Sequence, residues 1–319
     1  MRVLVTGATG FVGSRLVPAL LEAGHEVTVL VRDAGRFDGP ATVEVVEGDL
    51  LEPRSFEPSL SGVDAAYYLV HSMHAGESFA ERDRVAARHF ARAASEADVE
   101  RVVYLGGLGA ARDRLSAHLR SRREVETILA TGEYALTTLR AAVIVGAGSA
   151  SFEMIHQLVN RLPVMVTPRW VRTPCQPIAI GDVIEYLVGV LDHPETAGET
   201  YEIGGPDVLT YEQMLTRTAD VLGRRLQIVP VPVLSPTLSS YWVDLVTDVP
   251  ATVARPLILG LRNPVVVTED RIRDVVPVEL TPFDVAVRRA LAAYDETVEP
   301  TPEPAAPVEA SGEGDPDGR

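Results

Sequence analysis

The residues best placed to do chemistry stand at the front of the chain. A β-branched apolar run, Val3-Leu4-Val5, breaks into Gly7-Ala8-Thr9-Gly10-Phe11-Val12-Gly13, and a helical pattern begins at Ser14-Arg15-Leu16-Val17. Strand, glycine turn, helix is the order that cradles a pyrophosphate. Gly7 permits the tight turn, Gly10 lets phosphate oxygens reach bare backbone, and Gly13 lets helix and strand pack closely. The anion then meets the positive end of the helix, whose leading N–H groups have no partner within it. With no ligand, the same residues would be a glycine turn and nothing more. Other chemistries lack their parts. The seven histidines are scattered without ligand spacing for a metal on any one element, and neither a nucleophile elbow nor a phosphate-loop lysine occurs. All 29 basic residues are arginine. Cys175, the single cysteine, excludes an internal disulfide and reads as a small core or loop residue in a reducing compartment.

The elements that must position the glycine turn follow in alternation. Strands are expected at Glu26–Val31, Val43–Val46, Ala65–Val70, Val102–Leu105 and Ala135–Val145. Helices are expected from Ser14 to Ala23, Gly76 to Ala97 and Leu115 to Thr131. Such alternation predicts a parallel sheet covered on both faces. Past Gly148 the pattern loosens. Prolines punctuate residues 163–177, Ile180–Leu191 reads as helix, Thr200–Ile203 as a short strand, and Tyr211–Leu222 as a helix with Thr210 at its N-cap. Ser235–Leu261 is apolar and broken by prolines, which suits interrupted helices around a pocket or partner surface, and Pro282–Tyr294 is the last helix. The expected fold is α/β: a Rossmann-type doubly wound parallel sheet over residues 1–150, to which 178–191 returns, with a smaller C-terminal α+β cap over 151–296. Residues 297–319 hold five prolines, six acids and one arginine, too little apolar surface to offset ordering, and read as a disordered acidic tail.

Composition sets outer bounds. The chain has 319 residues, 46% of them hydrophobic, ample for a core, and a net charge of −16 that argues against nucleic acid as a partner. Abundant acid without lysine suits a salt-adapted protein, although a GC-rich genome would also favour arginine. No apolar stretch approaches the ~20 residues of a spanning helix, and the opening strand leaves no room for a cleaved leader, so the expected compartment is the cytoplasm.

By Gly7-Ala-Thr-Gly10-Phe-Val-Gly13, Gly48-Asp49-Leu50 and Tyr104-Leu-Gly106-Gly107-Leu-Gly109, the chain resembles the short-chain dehydrogenase/reductase superfamily. Tyr67-Tyr68-Leu-Val-His71-Ser72-Met73 and Ser239-Ser240-Tyr241-Trp242-Val243 sharpen the likeness to its atypical NmrA-like branch. That branch includes the 39-kDa accessory subunit of respiratory complex I and proteins often labelled nucleoside-diphosphate-sugar epimerases. The resemblance covers about residues 1–295. It implies that Gly7, Thr9, Gly10, Phe11, Val12 and Gly13 hold the cofactor, that Asp49 and Leu50 read the adenine ring, and that Leu69, Val70 and His71 pass beside the two riboses. Arg32 stands where a carboxylate would bind the ribose diol of NAD. An arginine there suits the 2′-phosphate of NADP, with Arg36 as a second contact, while the neighbouring Asp33 keeps NAD as the alternative.

The superfamily's usual chemistry needs a tyrosine followed four residues later by a lysine. No lysine exists here, no tyrosine has an arginine at that spacing, and Gly106-Gly107 replaces the usual serine. The matching helix carries His118-Leu-Arg-Ser-Arg122. In one reading His118 is the proton donor and Arg122 the fixed positive charge. In the other, favoured by the crowding of Arg120, Arg122 and Arg123, both are solvent-facing helix residues. Asp83 and Arg140 read as helix-surface and sheet-edge residues. Three functions follow: an NAD(P)H-dependent reductase of weak or non-standard chemistry on a small, unidentified substrate; a cofactor-binding accessory or sensor without turnover, peripheral to a membrane-bound respiratory assembly; and, last because it leans hardest on the missing pair, a sugar-nucleotide epimerase or dehydratase.

Overall fold

The computed structural model describes residues 1–72, 78–109, 115–231, 247–261 and 263–297. Met73, the Ser239–Val243 motif and the acidic tail beyond Thr297 lie outside the described residues. Strands β1 (Arg2–Thr6), β2 (Glu26–Val31), β3 (Glu44–Glu47), β4 (Ala65–Tyr68), β5 (Arg101–Gly107), β6 (Ala135–Ala141) and β7 (Thr200–Ile203) form one sheet. Its order is β7-β6-β5-β4-β1-β2-β3, and every pairing is parallel. The order reverses between β1 and β4, so the loops after these strands part and leave a crevice at their C-terminal ends.

Why the chain folds this way is visible strand by strand. Val3, Leu4 and Val5 are all buried, because both faces of β1 are covered by helices and an unbroken apolar run is what such a strand requires. On one face, α1 (Gly13–Glu22) lays Leu16, Val17 and Leu20 beside Val183, Leu187 and Val190 of α5 (Ile180–Asp192). Each such side chain contributes about 1.5–3 kcal/mol on full burial. On the other face, α2 (Phe79–Glu96) and α3 (Ala117–Leu129) pack closely because α2 turns Ala86, Ala87, Ala93 and Ala94 inward. Tyr68 and Phe90 meet edge to face at 5.1 Å, and the Tyr67 hydroxyl donates to Leu187 O at 2.6 Å.

Several boundaries depart from the sequence expectation. The sixth strand ends at Ala141 and not at Val145. The chain leaves the sheet there, and Ile144–Val145 pairs anew, in parallel, with Ile178–Ala179. A continuous apolar run does not reveal where one strand stops and another starts. The fourth strand ends at Tyr68, with Leu69 N donating to Thr6 Oγ1 at 3.2 Å just beyond it. Thr200–Ile203, read as part of the cap region, is the outermost strand of the main sheet, with Tyr201 beside Leu139.

The remainder packs around a second core of Phe152, Val159, Met214 and Val287, supplied by α4 (Ala150–Arg161), α6 (Tyr211–Val221) and α8 (Phe283–Thr297). Thr210 caps α6 with a reciprocal pair: Gln213 N donates to Thr210 Oγ1 at 3.1 Å, and Thr210 N to Gln213 Oε1 at 2.8 Å. One further helix, α7 (Ala251–Gly260), lies against both α3 and α4 and closes the crevice on that side.

Candidate dinucleotide cleft

The turn after β1 has the shape its glycines imply. Gly7 sits at φ +73°, and a side chain there would also press on the Leu69 carbonyl, 2.9 Å from a Cβ. Gly10 N donates to Gly7 O at 2.9 Å, which closes the turn. A Cβ on Gly13 would stand 2.2 Å from Gly7 O and 2.7 Å from Ala8 Cα, so this position is needed for the backbone of the turn itself. A Cβ on Gly10 would meet only Gly7 O, at 3.1 Å, because its other side opens on the crevice. The helix then begins at Gly13 with no capping side chain, leaving its positive end toward the opening.

This opening is one continuous cleft of about 940 Å³. Gly7, Thr9, Gly10, Phe11, Val12 and Gly13 form its floor. Arg32, Asp49 and Leu50 line one end; Leu69, Val70 and His71 form the wall from the tip of β4. His118 and Arg122 line it from α3. Beyond them come Ala150, Glu153 and Gln157 from α4, then Asp248, Val249, Val253 and Leu257. The glycine turn, Arg32, Asp49, Leu50, Leu69, Val70, His71, His118 and Arg122 thus share one concavity.

Details at the Arg32 end separate neighbours. Asp33 turns its carboxylate back to accept from Gly35 N at 3.0 Å, capping a short turn over Ala34–Arg36. Neither Asp33 nor Arg36 lines the cleft, whereas Arg32 does. Asp49 Oδ1 accepts from Leu51 N at 2.9 Å, Asp49 N donates to Ser55 Oγ at 2.9 Å, and His89 Nδ1 lies 2.9 Å from Leu50 O. The loop after β3 is held from both sides.

The wall at β4 and α3 is held by a residue read differently in the sequence. Asp83 is not a helix-surface residue: it is 5% exposed, pressed between α2 and α3 by the close approach of their small faces. Its carboxylate accepts from Ser72 N at 2.7 Å and from Ser121 Oγ at 3.1 Å. It therefore ties the segment carrying His71 to the helix carrying His118 and Arg122. Arg140 forks onto Glu126, 3.1 Å from Nε to Oε2, away from the cleft.

His118 and Arg122 are not solvent-facing. Four residues apart on α3, they turn into the cleft while Arg120 is exposed and Arg123 donates to Gly109 O at 2.7 Å. Burial, then the Arg122 guanidinium, then His71 push the His118 pKa down to about 3, so its imidazole is neutral near pH 7. The Nε of Arg122 is shut off from water without a hydrogen-bond partner, while the residue's carbonyl accepts from the Tyr104 hydroxyl at 3.0 Å. A serine side chain at Gly107 would start with its Cβ 3.0 Å from Leu119 Cδ2.

One contact had no local signal. Arg15 donates to Phe11 O and to Ala147 O, each at 2.7 Å, and its guanidinium lies 4.7 Å from the centre of the Phe11 ring. It fastens the glycine turn to a loop 132 residues away. Cys175 is buried, and burial pushes its thiol up to about 11, as befits a packing residue. Among the described residues no group of three or more His, Cys, Asp or Glu side chains could hold a metal ion, and no helix is long and apolar enough to cross a membrane.

Comparison with known proteins agrees with this geometry. Residues 7–145 match a family model described as NAD(P)H-binding. Subunit 9 of the mitochondrial NADH dehydrogenase 1 alpha subcomplex from Arabidopsis thaliana is 27% identical, over 81% of this chain and 67% of the relative. Over residues 7–145 the chain is thus similar to NAD(P)H-binding proteins of the atypical short-chain dehydrogenase/reductase type. Another relative, a ceramide reductase of Caulobacter vibrioides, is 28% identical over 72% of this chain and 73% of its own. The fold matches a triphenylmethane reductase from Citrobacter sp. with a TM-score of 0.73 at 19% identity, covering 92% of this chain and all of that one.

Proposed function

We propose that the chain is an NADPH-dependent reductase acting on a small carbonyl-type acceptor. The observation that carries this reading is the single cleft at the β1/β4 switch point, floored by the glycine turn and lined by Arg32 and Arg122. The residues present fit a dinucleotide: a floor that a Cβ at Gly10 would begin to fill, an uncapped helix end, and a buried guanidinium nitrogen lacking an acceptor. When bound, a reduced nicotinamide dinucleotide supplies a hydride. Gly7–Gly13 would hold its pyrophosphate, Asp49 and Leu50 its adenine, Arg32 a 2′-phosphate, and Arg122 the ribose or a polarised oxygen near the nicotinamide.

The proton has to come from elsewhere. A histidine whose pKa lies near 3 carries almost no proton to give at pH 7, so His118 acts as a neutral hydrogen-bonding group. Water delivers the proton to the acceptor oxygen, and turnover is slow. Titration of the full chain with NADPH and NADH, followed by fluorescence, tests the cofactor assignment. NADPH should bind more tightly, and Arg32→Asp should shift the preference toward NADH through loss of a charge-assisted contact of roughly 1.5–3 kcal/mol. Equal affinities in both proteins would refute the role of Arg32.

A second reading has its own support. The lack of an acid at His118, together with relatives named as respiratory NADH dehydrogenase subunits, favours a cofactor-binding accessory protein peripheral to a membrane complex. Tight NADPH binding with no oxidation by a panel of aldehydes, ketones and quinones would select it.

A further inference from the structure

Helix α2 carries four arginines, at positions 82, 84, 88 and 92. The last three recur every fourth residue on one face and are engaged by carboxylates. Arg84 pairs with Glu81 and Glu124, Arg88 with Glu81, and Arg92 with Glu57 and Glu96. Arg82 is different. It shares its face with Ala86, one turn on, and both residues line the cleft. Arg82 is exposed, and among the described residues its side chain has no ion-pair or hydrogen-bond partner. With 45 acids in the chain for 29 arginines, that is not for want of carboxylates. The two acids beside it are committed elsewhere: Glu81 to Arg84 and Arg88, and Asp83 to Ser72 N and Ser121 Oγ.

Its neighbours fix where Arg82 stands. Ala86 packs in one cluster with Leu50 and Val70, and Asp83 holds Ser72, so the first turn of α2 lies between the loop after β3 and the tip of β4. Those are the two walls assigned to the adenosine half of a dinucleotide. Arg36, the second cation expected there, does not line the cleft, and Asp49 turns its carboxylate onto Leu51 N. A guanidinium offers a planar fork that matches two oxygens of a phosphate. We propose that Arg82 is a phosphate-binding residue of the cleft, serving beside Arg32 in the place expected for Arg36. The inference rests on the dinucleotide reading of the cleft and adds to it a contact supplied by α2.

Titration of the full chain with NADPH, NADH and adenosine at one ionic strength, repeated in Arg82→Gln and Arg88→Gln, tests this. Each substitution removes one positive charge from α2, but only Arg82 lines the cleft. Arg82→Gln should weaken NADPH binding about five- to tenfold, the lower range of a charge-assisted contact because the side chain is exposed. Arg88→Gln should leave NADPH affinity unchanged, and adenosine should bind all three proteins alike. NADH distinguishes the phosphates: unchanged affinity in Arg82→Gln places the contact at the 2′-phosphate, and a loss equal to that of NADPH places it at the pyrophosphate. Undiminished NADPH binding by Arg82→Gln would overturn the proposal. So would an equal loss in Arg88→Gln, which would mark a general effect of charge, or an equal loss for adenosine, which would mark stacking on the base. Failure of the native chain to bind NADPH at all would instead strike the dinucleotide reading, and this inference with it.

Discussion

At the scale of single residues, His118 decides what chemistry is open to the cleft. Its depressed pKa has a consequence for stability that needs no substrate. In the unfolded chain the imidazole takes a proton below about pH 6.5, while in the folded chain it does so only near pH 3. Between these values the unfolded state binds more protons, so stability falls as the pH drops from about 6.5 toward 3. His118→Phe removes that linkage. Denaturant unfolding at pH 7 and pH 5 should show the native chain losing about 1–2 kcal/mol more than the variant over that interval. Equal losses would mean that the imidazole titrates normally and is available as an acid. This environment was half legible in the sequence: the His118/Arg122 spacing marked the helix face, but which way the face turned is set by tertiary packing, with α2 on one side of the helix and α7 on another. Arg15 was not legible at all, because its second acceptor, Ala147 O, is remote in sequence.

At the scale of elements, the first strand, the glycine turn and α1 could be read directly, since their signals are local and consecutive. Alternation also disclosed the parallel sheet. The boundaries that escaped, at Ala141 and Tyr68, fall inside apolar runs where composition does not change. Asp83 escaped for a different reason: a carboxylate on a helix rich in charged residues looks solvated until the neighbouring helix closes over it. In the fold it is the strap between the β4 tip, α2 and α3. Asp83→Leu leaves Ser72 N and Ser121 Oγ without their acceptor, so it should lower stability by about 1–3 kcal/mol. It should also weaken NADPH binding, as the segment bearing Val70 and His71 loosens. Asp83→Asn, which keeps an acceptor oxygen, should recover most of both losses. A stability loss in Asp83→Leu with unchanged NADPH affinity would show that the strap supports the core and not the cleft.

At the scale of the whole molecule, charge and fold make separate statements. The net charge of −16 says nothing about the sheet, but it sets the conditions in which the sheet is stable. At 0.01 M ionic strength the Debye length is about 30 Å, and the negative surface repels itself across its full width; near 1 M the length falls to about 3 Å. The melting temperature should therefore rise from low salt to molar salt, similarly for sodium and potassium chloride. A flat profile would assign the absence of lysine to genome composition. The seventh strand belongs to this scale as well. Thr200–Ile203 was visible as a strand, but only the closed fold shows that it completes the sheet beside β6.

NADPH affinity compared with folding stability in Gly10→Ala and Gly13→Val separates a turn that serves a phosphate from one that serves packing alone. A methyl at Gly10 faces the cleft and meets one backbone oxygen at 3.1 Å, whereas any side chain at Gly13 strikes the turn at 2.2 Å. Gly10→Ala should unfold within about 1 kcal/mol of the native chain yet lose most of its NADPH affinity. Gly13→Val should lose both. Undiminished NADPH binding by a well-folded Gly10→Ala would contradict the phosphate role and reduce the motif to a turn.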